Sequence, residues 1–273
     1  SQREVIYKRR RNALLGERLS LDISNMIYDT IYSILEKSIT SQDIETLKSD
    51  VIMTFSDENL IQDLSVEQIE NSIELIALDL MKVLQENYNK KLLRIKEEAF
   101  PVIKRIYESQ DNSYQNILIP FSDGVNTMNI VCDLEKAIAD DGQSIISSFE
   151  TGVVLSHIDK NWKEHLKSMD DLKQSVQGAV YEQKDPLLIY KFESFNLFST
   201  MLEDINSSII SFLFRANLPN RDPKDLKRAA VEKNIQGTTS RGKEEVLPTN
   251  KRNNNANQQQ LSRRQRRAQE RKM

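Results

Sequence analysis

The fold is decided by residues 143–213, which have the sequence QSIISSFETGVVLSHIDKNWKEHLKSMDDLKQSVQGAVYEQKDPLLIYKFESFNLFSTMLEDINSSIISFL. Apolar residues recur at three- and four-residue steps over 143–178, the longest helix candidate in the chain, and again after Pro186. Asp185 followed by this proline is typical of a helix N-cap and first turn. Two long amphipathic helices joined by so short a link can only pack antiparallel, so we predict a helical hairpin with its tip near Tyr181.

The segments before the hairpin are predicted to be mostly helical. Residues 1–38 carry one apolar stripe and are predicted as a single helix, in which the cluster Lys8–Arg11 forms a solvated face or an anion-binding patch. Shorter helices follow, and Ser65 and Gln68 fit a capping box. We expect Pro101 to end or kink the helix that begins there, because proline lacks the N–H that a helix interior needs.

One short β element is predicted in residues 114–132. Two apolar runs flank Asp123–Gly124, a pair typical of a tight turn between antiparallel strands. Elsewhere, seven glycines and six prolines in 273 residues favour long helices with few turns. The composition therefore indicates a mainly α fold and makes an all-β fold unlikely.

The charge is divided unevenly along the chain. Up to Pro219 there are 23 Lys and Arg against 35 Asp and Glu, whereas from Asn220 onward there are 15 against 6. This division is typical of an acidic globular body with a basic, interacting tail. The tail contains a polar low-complexity run and is predicted to be a disordered linker.

Few residues indicate chemistry. Cys132 is the only cysteine, so neither an intramolecular disulfide nor a cysteine-rich metal site can form. His157 and His165 lie eight residues apart, which does not match the spacing of helical metal ligands, so we expect two packed or solvated histidines and no metal site. None of the glycines belongs to a phosphate-binding loop. The pattern indicates a non-catalytic chain.

The chain is predicted to be a soluble piece of a longer polypeptide. No apolar run reaches the roughly 18 residues that a membrane span needs, and the N-terminus has no apolar signal core. The sequence starts without methionine and inside a helical pattern. The hairpin tip, with Tyr181 and Lys184, is either a functional loop on a rigid support or an ordinary polar turn.

Two stretches of the hairpin resemble a known family. IDKNWKEHLKSMDDL at 158–172 and YEQKDPLLIYKFESFNLF at 181–198 closely resemble the C-terminal helical region of SecA, the family of ATP-driven motors of bacterial protein export. SQREVIYKRRRNALL at 1–15 is similar to the second half of that family's long scaffold helix. The resemblance covers about residues 1–215 and is loosest in 43–135.

The resemblance implies a division into four parts. We expect helical scaffold in 1–42 and 135–219, an inserted helical wing in 43–134, and a basic linker in 220–273. The hairpin corresponds to the family's two-helix finger, whose tip contacts the channel and the translocating polypeptide. The matching tip residues are Tyr181, Gln183, Lys184 and Asp185; the residues expected to pack the finger into the scaffold are Trp162, Leu166, Met169, Phe195 and Phe198.

The resemblance also implies a function. The family couples ATP-driven motion to the passage of preproteins through the SecYEG channel, at the inner face of the bacterial plasma membrane. ATP and Mg²⁺ belong to nucleotide-binding domains of the full-length protein, which this sequence lacks, so we expect no ATP hydrolysis by this chain and no cofactor of its own. The expected partners are SecYEG, preproteins, the motor domains, a second copy of the chain, and anionic lipid or the ribosome through the tail.

The composition leaves one alternative of another class. A freestanding helical adaptor could bind nucleic acid or another polyanion through the basic residues of 220–273. Deletion of the tail would abolish that activity, whereas substitution of Tyr181 would leave it intact.

Overall fold

A computed structural model of the chain describes residues 1–16, 18–62, 64–108, 115–176 and 185–219. Within these residues the chain forms seven helices and one two-stranded sheet: α1 (Gln2–Leu15), α2 (Leu19–Ser41), α3 (Ile44–Phe55), α4 (Val66–Glu108), β1 (Asn116–Ser122), β2 (Thr127–Asp133), α5 (Leu134–Ala139), α6 (Gln143–Ser175) and α7 (Pro186–Arg215). The predicted mainly α class with one short hairpin is confirmed. No helix in these residues combines the length and apolar character that a bilayer span requires.

The first helix is interrupted, and the prediction of one helix over 1–38 is wrong. Gly16 has a φ of 70°, and its N–H donates to the carbonyl of Asn12 at 3.1 Å, which closes α1 with a left-handed cap. Glycine adopts this conformation without the steric cost that a Cβ would bring. Leu14 and Leu15, which we placed on a continuous apolar stripe, are exposed beside the break.

Helix α2 supplies the centre of the core. Its buried side chains follow one face at three- and four-residue steps, and this face packs against α4 and α7. The buried residues include Ile23, Ile27, Ile31 and Leu35. A face of this regularity is the stripe that the sequence predicts, so α2 keeps the packing role even though the helix before it is separate.

Helix α4 begins as predicted and extends farther than predicted. The capping box is confirmed, because the Ser65 backbone N–H donates to Gln68 Oε1 at 2.9 Å and the Gln68 N–H donates to Ser65 Oγ at 3.3 Å. Pro101 does not end the helix, which continues to Glu108. The apolar face simply continues beyond the proline, with Ile103 buried one turn after Ala99.

Two further features of α4 differ from expectation. The non-helical backbone inside it lies at Ser72, with a φ of −151° and a ψ of 37°, and not at the proline. At 43 residues it is also longer than α6 with 33, so the prediction that 143–178 is the longest helix is wrong. Its middle is tied to α6 by the buried Tyr88 hydroxyl, which donates to Glu150 Oε1 at 2.9 Å.

The predicted β-hairpin is confirmed. Strands β1 and β2 pair antiparallel, with Ile119 opposite Ile130. Asp123 makes the turn, because its Oδ1 accepts from the N–H of Val125 at 2.9 Å. The sheet rests on α6 through Phe121, whose ring centre lies 4.3 Å from that of Phe149.

The chain that leaves α7 adds one bridge to this sheet. Asn217 and Ser122 exchange two backbone hydrogen bonds, both of 2.9 Å. The next hydrogen-bonding pair in this antiparallel register is Pro219 and Pro120, neither of which has an N–H to donate. The pairing therefore stops after one bridge.

We predict that Gly16→Ala lowers the free energy of unfolding by about 1 kcal/mol, because alanine is disfavoured in left-handed backbone. No atom lies within 4 Å of the added Cβ, so no clash contributes. Urea denaturation measures the change, with Ser20→Ala at an exposed position of α2 as the control. If α1 and α2 formed one helix in solution, the alanine would instead stabilise the chain by about 1 kcal/mol.

Candidate functional site

Helices α6 and α7 form the predicted antiparallel hairpin. His157 of α6 lies beside Phe212 of α7, with ring centres 5.9 Å apart, and His165 lies beside Phe198 at 5.7 Å. The later residue of α6, His165, thus contacts the earlier residue of α7, Phe198. This order requires the two helices to run in opposite directions.

The second half of α7 anchors the hairpin in the core. It packs against α2, α3 and α6, and its buried residues are Met201, Ile205, Ile209, Ile210, Phe212, Leu213 and Phe214. Phe214 completes an aromatic cluster, with its ring centre 5.1 Å from that of Phe55 in an edge-on arrangement and 5.3 Å from that of Tyr88 in a stacked one. We call this part of the hairpin, Gln143–Trp162 with Met201–Arg215, its base.

The remaining part, 163–175 with 186–200, is the distal half. Here the two helices meet around His165, which is 4% exposed. Its ring stacks on that of Trp162, with centres 5.5 Å apart, and also contacts the ring of Phe198. Its Nε2 atom lies 3.1 Å from Gln2 Oε1, so α1 reaches this point as well. Burial lowers the pKa of His165, which keeps the ring neutral in this apolar setting.

Helix α1 braces the hairpin with polar contacts. The guanidinium of Arg10 donates to both oxygens of Asp159 on α6, at 2.8 and 3.2 Å. Arg9 donates to Asn206 of α7, and Gln2 Nε2 donates to the carbonyl of Ser194 at 3.0 Å. The prediction of a solvated face or anion-binding patch at Lys8–Arg11 is therefore wrong for Arg9, which burial affects, whereas Arg10 stays partly exposed while it pairs with Asp159.

The environment of Arg9 explains why this contact is specific. Burial lowers the pKa of Arg9, and Asp22 and Asp29 of α2 oppose that shift. Burial also raises the pKa of Asp29, which accepts from Asn206 Nδ2 at 3.5 Å. The side chains thus join α1, α2 and α7 in one polar network that needs all three helices in place.

Three of the four predicted tip residues, Tyr181, Gln183 and Lys184, lie outside the described residues. Asp185 is described and serves as the N-cap of α7, because its Oδ1 accepts from the N–H of Leu187 at 2.9 Å. This capping uses one carboxylate oxygen in the helix itself. A role for these four residues in contacting a polypeptide stays a prediction.

The residues predicted to pack the finger into the scaffold are divided between two faces. Trp162 and Phe198 pack against the core as half-buried side chains, and Met169 is half-buried. Leu166 and Phe195 are 47% and 69% exposed, so the packing assigned to them is wrong for the described part of the chain. Successive helical residues are rotated by about 100°, which turns Leu166 away from the side on which His165 is buried.

An apolar stripe on the outside of α7 was not predicted from the sequence. Leu188, Phe192 and Phe195 are 66%, 64% and 69% exposed, and Leu187 is exposed next to them. Their spacing of four and then three residues places them on one side of the helix, away from α6. This spacing could have predicted the outer stripe from the sequence. The apolar residues of the same helix that face α6 follow a similar spacing, and so the two stripes were not separated.

His157 is a partly buried titratable residue in the base of the hairpin. Its Nε2 atom is buried without a hydrogen-bond partner among the described residues. Burial lowers its pKa, Lys160 lowers it further, and Asp123 acts in the opposite direction. No group of three or more potential metal ligands occurs in the described part of the chain. What the hairpin offers is a supported rod with an exposed apolar stripe, which is suited to binding and to transmitting movement.

Because the pKa of both histidines is lowered, the folded chain binds fewer protons than the unfolded chain near pH 6. The free energy of unfolding therefore falls as the pH drops through about 6.5, the ordinary value for the unfolded chain. We expect lower stability in urea at about pH 5.5 than at about pH 7.5. In proton NMR, both rings should titrate below about pH 6.5.

The double variant His157→Gln/His165→Gln is the control for this prediction. Its free energy of unfolding should depend less on pH between the same two values, whatever its absolute stability. A ring that titrates at or above its ordinary pKa would contradict the burial described here.

Comparison with known proteins identifies the chain's relatives. A family model described as the SecA Wing and Scaffold domain matches residues 1–217. The chain is 46% identical over 221 residues to the protein translocase subunit SecA of Flavobacterium psychrophilum, covering 81% of this chain and 20% of that protein. It is 42% identical over 246 residues to the protein of the same name from Christiangramia forsetii, covering 90% and 22%.

The relatives are much longer than this chain. It is also 41% identical over 233 residues to the protein translocase subunit SecA of Parabacteroides distasonis, covering 85% of this chain and 20% of that protein. The chain thus spans about a fifth of the length of the curated relatives it matches. The match and the identity levels together confirm the resemblance seen in the sequence, and the chain belongs to the SecA wing and scaffold domain family.

Proposed function

We propose that this chain is the helical scaffold and wing portion of a SecA-type protein-export motor. In this role the hairpin of α6 and α7 is the two-helix finger, which couples ATP-driven movement of the motor to a preprotein entering the SecYEG channel. The observation that carries the proposal is the division of α7 into a second half buried by three helices and a first half with an exposed apolar stripe.

This division suits a lever. Movement applied to the base reaches the distal half because the same two helices run through both. His165 contacts both Trp162 and Phe198 and, with Gln2 of α1, keeps the two helices packed in the distal half. The stripe of Leu188, Phe192 and Phe195 offers apolar contact close to the predicted tip.

The tip supplies the contact to the moving chain. An aromatic ring at Tyr181 offers large apolar contact area that accepts many different side chains, together with a polar hydroxyl. Preproteins differ in sequence, so a contact of low sequence specificity fits the task. Gln183, Lys184 and Asp185 would add polar contacts to the polypeptide or the channel.

Other components belong to the longer protein. We propose that ATP and Mg²⁺ bind to parts of the polypeptide outside this sequence, that this chain does not hydrolyse ATP, and that the assembly works at the inner face of the plasma membrane. The scaffold corresponds to 1–42 and 135–219 and the wing to 43–134. The adaptor alternative gains no support from the family match, which ends at residue 217, before the basic tail.

We predict that Tyr181→Ala, placed in the complete translocase that contains this segment, lowers preprotein translocation by about tenfold. The aromatic contact is worth roughly 1.4 kcal/mol, and the loss of that free energy corresponds to a tenfold change. Translocation into vesicles that contain SecYEG and ATP hydrolysis by the same preparation are the two measurements. We expect hydrolysis to continue, because the finger tip lies outside the nucleotide site.

Two variants control this experiment. Tyr181→Phe keeps the ring and should retain most of the translocation. Tyr107→Ala removes an exposed tyrosine on α4 and should leave both activities unchanged. Normal translocation by the Tyr181→Ala protein would show that the tip assignment is wrong.

A further inference from the structure

A cavity of about 480 Å³ lies where α4 passes the end of α7. We call it the α4–α7 cavity. Its floor is apolar and its walls are polar, and four of the side chains that line it are cationic. The floor is formed by Phe55, Leu84 and Phe214; the cationic residues are Lys90, Lys91, Arg94 and Arg215.

The cations in this cavity bond mostly to neutral oxygen atoms. Lys91 Nζ donates to the carbonyl of Phe214. Arg94 Nη2 donates to Asn217 Oδ1 at 3.0 Å, and Arg215 Nη1 donates to the carbonyl of Met53 at 3.3 Å. These contacts orient the side chains, but they supply no negative charge to balance them.

Negative charge near the cavity is limited. Among the described residues that line it, Asp57 is the one carboxylate, and its Oδ2 accepts from Asn87 at 3.1 Å. Glu98 lies 3.7 Å from Arg94 Nε at an exposed position, and Asp123 is close enough to Arg215 for the arginine to lower its pKa. The lining therefore carries an excess of positive charge.

Keeping Lys91 charged in this cavity carries a cost. Burial, together with a smaller effect of the charge of Arg94, lowers the pKa of its ammonium group to about 7. A buried lysine close to an arginine is expected to respond in this way when no anion is present to favour the charged form. An anion in the cavity would remove the cost.

We propose that the α4–α7 cavity binds a phosphate group, either free or as part of a phosphate ester. Lys90, Lys91, Arg94 and Arg215 would donate to its oxygen atoms, because ammonium and guanidinium groups form strong charge-assisted hydrogen bonds with phosphate. The apolar floor would receive the carbon part of an ester. A lipid headgroup and a soluble phosphate ester share this chemistry.

Capping of α7 does not account for the whole cluster. Lys91 bonds to a carbonyl of the last turn, which is a common role for a lysine at the C-terminus of a helix. One cation is enough for that role. Arg94 bonds instead to the side chain of Asn217, and Lys90 lines the same cavity one residue before Lys91.

In the test, the complete 273-residue chain is titrated with sodium phosphate and, separately, with glycerol phosphate. Binding is measured by calorimetry and by changes in the NMR signals of Asn217. We expect a dissociation constant of about 1 mM or lower. Lys90→Gln/Arg94→Gln should weaken binding by about tenfold or more, because each substitution removes a charged hydrogen bond to the phosphate. Both side chains are exposed, so the fold should tolerate their replacement.

The control variant is Lys82→Gln/Lys104→Gln, which changes the net charge equally on the same helix outside the cavity lining. It should bind phosphate as the original chain does, so any contribution of the basic tail cancels in the comparison. Equal affinities of the two double variants would overturn the proposal.

The source of the phosphate is distinguished with vesicles. Vesicles of phosphatidylglycerol and of phosphatidylcholine are compared for both double variants. Binding to phosphatidylglycerol that depends on Lys90 and Arg94, with no binding of soluble phosphates, identifies a lipid headgroup as the ligand. Binding of soluble phosphates alone identifies a free phosphate or ester. Failure of all these probes to bind in a cavity-dependent way overturns the proposal.

A second readout uses sulfate, which remains a dianion across the pH range. Lys91 lines the cavity together with Asp57, Lys90, Arg94 and Arg215, and an anion bound there would favour its protonated form. Affinity for sulfate should fall as the pH rises from about 6 to about 8.5, because binding then requires uptake of a proton. Sulfate affinity that does not change with pH would overturn the part assigned to Lys91.

Discussion

The second half of α7 is buried on three sides, against α2, α3 and α6, and this packing holds together elements that are far apart in the sequence. Its seven buried side chains contribute about 1.5–3 kcal/mol each before conformational entropy is counted. Phe214 alone joins α3, α4 and α7 through its contacts with Phe55 and Tyr88. Without the packing of α7 against α2, α3 and α6, the base of the hairpin would not be held in place.

The polar brace from α1 has a different role. The pair Arg10 and Asp159 is partly exposed, and such pairs contribute only about 0–1 kcal/mol. It therefore adds little to stability compared with the packing of α7. Its two-point geometry, together with the contacts of Arg9 and Gln2, fixes the direction of the hairpin relative to α1. Packing thus holds the base, and hydrogen bonds orient it.

Local signals in the sequence predicted much of this fold. The capping box at Ser65 and the N-cap at Asp185 followed from residue types at fixed spacing, and the β-hairpin followed from its turn. These features depend on neighbours within a few residues. The antiparallel hairpin followed from two apolar stripes and a short link, which leaves one geometric solution.

The errors came from tertiary context. A stripe continues on both sides of Gly16, and periodicity does not show that the backbone turns left-handed there. Helix α4 continues through Pro101. Local preference alone predicts that a helix ends or kinks at a proline, because the residue lacks an N–H and its ring crowds the preceding turn. Phe195 is apolar and correctly spaced, yet it lies on the outer side of α7, since a helix with two stripes does not reveal which one is covered.

We conclude that the hairpin is one continuous rod with a fixed base and a less covered distal half. Amide hydrogen exchange along α7 of the complete chain tests it most directly. We expect the slowest exchange from Met201 to Phe214. From Ile189 to Phe198 exchange should be faster, but still at least about tenfold slower than in an unfolded chain. Exchange of the distal amides at the rates of an unfolded chain would show that the distal half is not a stable part of the rod.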